Sequence, residues 1–286
     1  MSHPADLVAL RFLTDYLEEH LPFPEAEDPY QRLQALTAMR ARNTVVAVGN
    51  GLAGDSTAQA SMLCRSLFED MIVGHWLAVQ DDPSFLVARF FDHQDAMAVY
   101  EHDYVTQTMG LPYLGTPIPE ALERRDELVR SFGRHAEKSW WGVRPDGKSI
   151  TIEGIVTVLE DSGSFVPRLS GGHEPVLRNT FSLANKWANQ HLHHTGVSLP
   201  FELMPDGTMR RRDRDHLRHL TAFSAYWIFG QVIYLQLELQ GAAATAQDFD
   251  PRFRGTLADT FGDGETEEEA TAALAQARRD RERRET

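Results

Sequence analysis

The sequence predicts a mainly α-helical protein built as a multi-helix bundle of roughly six to eight helices. Apolar residues recur at three- and four-residue spacing through most of the 286-residue chain, as they do on the buried face of a helix. One segment, residues 56–80, is apolar on both flanks and is therefore expected at the centre of the bundle. A strand-like stretch, residues 150–161, has no evident partner strand.

The central helix carries two charged residues among its apolar ones. Helical spacing puts Leu63, Leu67, Met71 and Leu77 on one flank, and Arg65, Glu69, Ile72 and Trp76 on the opposite flank. Arg65 and Glu69 lie one turn apart on a face that should be buried or half-buried, so the pair is either a structural clamp or part of a site. Glu69→Ala is expected to destabilise the fold because it would remove the partner of Arg65.

The other elements follow from the same spacing. Helical patterns also cover residues 5–20, 30–48, 84–109, 120–138, 150–161, 174–194 and 212–240. Residues 150–161 are rich in β-branched side chains, but the spacing of their apolar residues, with Ser149 as a cap, favours a helix. The glycine-containing segment 49–55 lacks the spacing of phosphate-binding loops and is predicted to be a turn or kink. The long connection 196–208 could cover a site.

The chain divides into three parts by composition. Residues 1–30 hold a first helix and a proline-rich acidic linker. Residues 31–242 form the helical-bundle domain. Residues 243–286 are expected to be a polar tail, partly disordered or helical, and mobile or only marginally helical beyond about residue 255.

Charge and cysteine content exclude several classes of protein. The formal net charge of −14 argues against a protein that coats DNA or RNA through its overall field. The basic runs at 209–219 and 277–284 are interspersed with acids, as on solvated helix faces. The single cysteine, Cys64, excludes an internal disulfide and is expected in the core. No apolar run reaches the roughly 18 to 20 residues that span a membrane, and no secretory signal is recognised, so a cytoplasmic protein without a membrane partner is expected.

A polar stripe follows one face of the predicted helix 174–194. It consists of Arg178, Ser182, Asn185, Asn189 and His193. The other face holds Phe181, Leu183, Ala184, Trp187 and Ala188. The stripe is either a solvent-exposed face or the lining of a cleft that forms where this helix meets the central helix. His193 lies near the helix C-terminus, and an imidazole there suits proton transfer.

Three segments together resemble an uncharacterised bacterial family of all-helical domains: RSLFED at 65–70, DDPSFLVARFFDHQ at 81–94 and ANKWANQHLHHTG at 184–196. The family pattern, an Arg-x-x-x-Glu helix and a later helix with a small polar residue and then a His, matches Arg65, Glu69, Asn189 and His193. The resemblance covers about residues 40–240, and the family supplies no assigned activity. The helical layout is also similar to the HEPN superfamily, whose bundles include metal-free ribonucleases, toxins and phage-defence effectors.

The HEPN resemblance implies a ribonuclease, but the chain departs from the superfamily's signature. That signature is an Arg, usually followed by a polar residue, with a His a few residues later. Arg178-Asn179 begins in this way, yet the first His after it is His191. In RNA cleavage His193 would be the general base or acid on the ribose 2′-OH, and Arg178 or Arg65 would steady the phosphate.

Two further hypotheses remain open beside the nuclease. Twelve histidines and many carboxylates on helices are compatible with a metal-dependent enzyme, for example through Asp215 and His219, although no metal ligand set is assigned. A non-catalytic bundle would bind a protein partner or small ligand. Its binding residues would be Trp76, Ser182, Asn185 and Trp187, and an apolar pocket could be walled by Trp140, Trp141, Trp187 and Trp227.

The sequence favours the interaction or ligand-binding module, and analogy with the family implies a role in stress or phage defence. The divergent ribonuclease is the first alternative and the metal-dependent enzyme the second. No cofactor is predicted, RNA is a possible partner, and a homodimer could form through the apolar helix 212–240.

Overall fold

The computed structural model describes residues 4–21, 28–54, 56–115, 118–133, 138–162, 201–204, 207–211 and 215–261. The α-helices in these ranges are α1 (Pro4–His20), α2 (Pro29–Ala53), α3 (Thr57–Ala78), α4 (Ser84–Asp103), α5 (Pro119–Glu123), α6 (Arg125–Phe132), α7 (Ile152–Asp161), α8 (Asp215–Leu239) and α9 (Ala243–Phe261). A π-helical turn, Tyr104–Thr108, extends α4, and β1 (Phe201–Leu203) pairs with β2 (Met209–Arg211) in an antiparallel hairpin. The prediction of a mainly α multi-helix bundle is confirmed.

Helix α3 lies at the centre of the bundle, packed between α2 and α8 with α7 against it. Its side chains are buried on both flanks, including Leu67, Met71, Ile72 and Leu77. Burying each of these side chains contributes about 1.5–3 kcal/mol relative to exposure, so the three-helix contact supplies much of the hydrophobic stabilisation. The central position predicted for residues 56–80 is confirmed.

The turn predicted at residues 49–55 is shorter than expected, because α2 continues through Gly49 and Gly51 to Ala53 and the chain turns only at Gly54. Gly51 explains the continuity. A Cβ at Gly51 would approach the Ala60 Cβ to 3.1 Å, so the glycine allows the end of α2 to lie close against the start of α3. The Gly54 N–H then closes the helix by donating to the Asn50 carbonyl.

Both ends of the described chain belong to the same core. Helix α1 packs on α2, α8 and α9, and the Tyr16 hydroxyl donates to the Thr245 carbonyl at 3.0 Å. Helix α9 buries Phe249 and Phe253, and it extends to Phe261, beyond the boundary near residue 255 that the sequence suggested. The first helix and the start of the predicted tail therefore pack together rather than flanking the bundle.

The shorter elements refine three predictions. The helix predicted over 150–161 is confirmed by α7, although its cap is Thr151, whose hydroxyl accepts from the Gly154 N–H, and not Ser149. The single helix predicted over 120–138 is two short helices that meet at Arg124. Arg124 contacts Asp92 at 2.5 Å and Asp95 at 3.5 Å, which ties this corner to α4.

Of the helices in the described ranges, none has the length and apolar character needed to cross a bilayer.

Candidate functional site

A cleft of about 210 Å³ lies where α2, α3 and α4 meet the segment after α6. We call it the Asp70 cleft. It is lined by Leu36, Thr37 and Arg40 of α2, by Glu69, Asp70 and Val73 of α3, by Phe90 and Gln94 of α4, and by Trp140 and Trp141. Five of these ten residues are apolar or aromatic and five are polar or charged, so the cleft offers both an apolar surface and hydrogen-bonding groups to a small molecule.

Helical geometry decides which side chains face the cleft. Residues 36, 37 and 40 share one face of α2, and residues 90 and 94 share one face of α4, because positions four apart are neighbours on a helix. On α3, successive residues are rotated by about 100°. Glu69 is therefore at the half-exposed edge of the cleft, whereas Asp70 points inward.

Asp70 is the buried charged residue of the cleft, with a side chain that is only 7% exposed. Its Oδ1 atom lies 3.3 Å from Nε of Arg40, whose side chain is 64% exposed. Its Oδ2 atom has no hydrogen-bond partner among the described residues. Burial raises the pKa of Asp70 to about 7, opposed by Arg40 and reinforced by Glu69.

Arg40 connects α2 to α3 through two contacts. Besides its ion pair with Asp70, its guanidinium donates to the Ser66 hydroxyl at 3.2 Å. Arg40 is therefore a partner of the buried carboxylate, although its side chain is 64% exposed.

The aromatic wall is fixed by contacts with α4. Phe90 and Trp140 pack edge to face with ring centroids 5.3 Å apart. The Trp140 carbonyl accepts a hydrogen bond from Arg89 Nε at 3.1 Å, and the Arg89 guanidinium lies over the Phe132 ring. Backbone bonding between Ile150 and Gly142 closes the loop behind the two tryptophans. The wall is thus held in place before any ligand enters.

Of the predicted catalytic and ligand-binding residues, the structure describes Arg65, Glu69 and Trp76. Arg65 Nε lies 3.4 Å from Glu69 Oε1, with side chains 40% and 33% exposed. A half-exposed pair of this kind contributes only about 0.3–0.5 kcal/mol, which lowers the destabilisation expected for Glu69→Ala. Glu69 lines the cleft, and Arg65 and Trp76 do not. Trp76 is buried, and its indole N–H has no hydrogen-bond partner among the described residues.

The other predicted site residues lie outside the described residues: Arg178, Ser182, Asn185, Trp187, Asn189 and His193. The cleft expected between their helix and the central helix is therefore also outside. Of the tryptophans expected to wall a pocket, Trp140 and Trp141 line the Asp70 cleft, whereas Trp227 is buried in the main core.

Histidines and metal ligands do not form a centre in the part of the chain that the structure describes. No group of three or more His, Cys, Asp or Glu side chains is placed there to hold a metal ion. His75 on the central helix is half-buried; desolvation lowers its pKa to about 4, and its Nδ1 lies 2.8 Å from the Met71 carbonyl. A neutral imidazole engaged with the backbone has a structural role.

Sequence reasoning missed Asp70 and Arg40. The available signal was the consecutive pair Glu69-Asp70 in an otherwise apolar helix, because a rotation of about 100° between them brings one of the two towards the interior. The partner, thirty positions earlier on α2, has no comparable local signal.

Comparison of the chain with protein-family models, with curated proteins and with solved structures gives no match. The resemblance to a HEPN-like helical family therefore stays a prediction. The functional argument rests on the chemistry of the Asp70 cleft.

Proposed function

We propose that the protein is a ligand-binding helical module that takes up a small organic molecule in the Asp70 cleft. The observation that carries the proposal is the buried Asp70 carboxylate, which lines the cleft beside an aromatic wall and is held by an ion pair with Arg40. A buried charge that is incompletely paired is costly. A ligand that gives this carboxylate a second polar or charged partner would offset part of that cost, while its apolar part packs against the aromatic wall.

The size of the cleft limits the ligand. An apolar cavity of about 150 Å³ engineered in another protein holds one benzene molecule. At about 210 Å³, the Asp70 cleft has room for one aromatic ring with a short polar substituent. A ligand of that size binds with a dissociation constant on the order of 10 μM to 1 mM. Such affinities suit a sensor or carrier of a small metabolite.

The proposal predicts that single-ring fragments bind in the cleft and that filling the cleft prevents it. Leu36 lines the cleft and is 39% exposed, so Leu36→Trp adds a large side chain at the opening with little cost to the core. Binding should be followed by ¹⁵N–¹H NMR, in which the indole N–H resonances of Trp140 and Trp141 report occupancy. Fragments should shift these resonances in the wild type, and Leu36→Trp should weaken binding by about tenfold or more.

Met39→Trp is the matched control. Met39 lies on the same helix and is 38% exposed, but it does not line the cleft. This variant should bind fragments as the wild type does. Absence of any fragment that shifts the two indole resonances, or equal binding by Leu36→Trp and Met39→Trp, would overturn the proposal.

The enzymatic alternatives stay predictions. Metal-independent RNA cleavage would depend on His193 with Arg178 or Arg65, and the metal-dependent alternative on histidines and carboxylates of several helices. We also keep, as proposals from the sequence analysis, a cytoplasmic location, a role in stress or phage defence and the formation of a homodimer. The ligand-binding module is preferred because the Asp70 cleft brings a buried carboxylate and an aromatic wall together.

A further inference from the structure

The charges of the Asp70 cleft favour one class of ligand. Arg40, Glu69 and Asp70 are the charged residues among those that line it, so the formal charge of the lining is negative. Arg40 and Glu69 lie towards solvent, whereas Asp70 is buried. The interior of the cleft therefore presents a carboxylate, and Arg40 reaches only its Oδ1 atom.

A cationic donor satisfies this interior better than a neutral or anionic group. An ammonium donates charge-assisted hydrogen bonds, which are roughly twice as strong as neutral ones. An anionic ligand would meet two carboxylates, and the Arg40 guanidinium that could receive it is already paired with one of them.

Resting on the proposed function, we infer that the ligand is an arylalkyl amine: its ammonium pairs with the Asp70 carboxylate while its ring packs against Trp140 and Trp141. The carboxylate and the two tryptophans line the same cleft, so a short chain between ring and nitrogen suffices for one molecule to contact both.

The ionisation of Asp70 is compatible with this assignment. Burial raises its pKa to about 7, and the charged groups that face it are Arg40 from α2 and Glu69 beside it on α3. The α4 residues Phe90 and Gln94 and the two tryptophans add no charge. A bound ammonium favours the ionised carboxylate, so the amine selects the charged form that the free cleft disfavours.

Three probes with the same ring and chain length test the inference by isothermal titration calorimetry at pH 7.5: phenethylamine, 2-phenylethanol and phenylacetate. Phenethylamine should bind about tenfold or more tightly than 2-phenylethanol, and phenylacetate should bind most weakly. Asp70→Asn preserves the size of the side chain and should weaken phenethylamine binding by about 10- to 100-fold, with 2-phenylethanol changed by less than about threefold. Glu101→Gln, at an exposed position of α4 outside the cleft, should leave the preference for the amine within about threefold.

The outcomes separate the inference from the proposal on which it rests. Equal affinity for the three probes, or a preference for the amine that survives Asp70→Asn, would overturn the amine assignment and leave the cleft as a binding site. Binding of other single-ring fragments with no binding of phenethylamine would overturn it as well. If neither these probes nor any fragment binds, both the amine assignment and the proposed ligand-binding function are wrong. The comparison of probes on the wild type needs no variant to fold.

Discussion

Asp70 and Glu69 are neighbours in the chain, yet their carboxylates lie in very different surroundings. Glu69 pairs with Arg65 at a half-exposed position, where solvent weakens the interaction. Asp70 lies among buried residues with a single ion-pair contact to Arg40. Desolvation of the Asp70 carboxylate is only partly offset, so this residue costs stability when it is charged.

This cost predicts how stability depends on pH. Burial raises the pKa of Asp70 in the folded protein to about 7, above its usual value of 3.8. Between these values the folded state binds the proton more tightly than the unfolded state, so stability falls as the pH rises from about 4 to 7. In urea unfolding at pH 5 and pH 8, the wild type should lose more stability than Asp70→Asn, by roughly 1–4 kcal/mol.

Other acidic groups also make the stability of this acidic protein depend on pH. The test is therefore the difference in pH dependence between the wild type and each variant. Glu69→Gln should retain most of the wild-type dependence on pH, since Glu69 only reinforces the burial effect. Parallel curves for the wild type and Asp70→Asn would show that the Asp70 pKa is not raised.

At the scale of elements, the approach of α8 to α9 depends on a glycine in the middle of a helix. A Cβ at Gly230 would overlap the ring of Phe253, which is fully buried and stacks on Tyr226 with centroids 4.8 Å apart. The ring is confined by its neighbours and cannot move aside without disturbing the core. Gly230 lowers the helix propensity of α8, but its lack of a side chain allows the close packing of α8 against α9.

Gly230→Ala should destabilise the protein by about 1–3 kcal/mol, because the added methyl group overpacks the contact between the helices. Gly255→Ala is the matched control on α9, where no atom lies within 4 Å of the added Cβ. It should stabilise by about 0.5–1 kcal/mol through helix propensity alone. Both changes can be measured by urea unfolding, and effects of the same sign would contradict this account of the contact.

At the scale of the whole molecule, a cluster of aromatic rings joins the two ends of the described chain. Phe249 of α9 is fully buried and packs against Tyr16 of α1 and Tyr234 of α8, with centroids 4.7 Å and 4.9 Å away. The ends are more than two hundred residues apart in sequence. Bringing them together costs conformational entropy, which burial of the rings offsets.

Phe249→Ala should therefore destabilise the whole fold by about 3–5 kcal/mol, because it leaves a cavity where three helices meet. Tyr104→Ala removes an aromatic ring of similar size at a half-exposed position and should cost less than about 1 kcal/mol. Unfolding in urea, monitored by circular dichroism, measures both. A loss of α1 and α9 alone, seen as a separate early transition, would mean that the ends are not part of the cooperative core.

Local sequence was sufficient to determine most of the helices. The spacing of apolar residues predicts α1, α3, α4, α7 and α8, and the apolar character of both flanks predicts the central position of α3. These properties can be predicted from local sequence because a helix forms its backbone hydrogen bonds within itself. The pattern of its apolar residues then determines whether one face or several faces are buried. The half-buried position of Arg65 and Glu69 follows from the same pattern.

Tertiary structure alone decided what the site contains. The continuation of α2 through Gly51 depends on the approach of α3, which a count of glycines in the sequence does not reveal. The burial of Asp70, its contact with Arg40 and the position of Trp140 and Trp141 depend on segments far apart in the chain. Propensity and periodicity describe one helix at a time, whereas the desolvation of a carboxylate depends on every element packed around it.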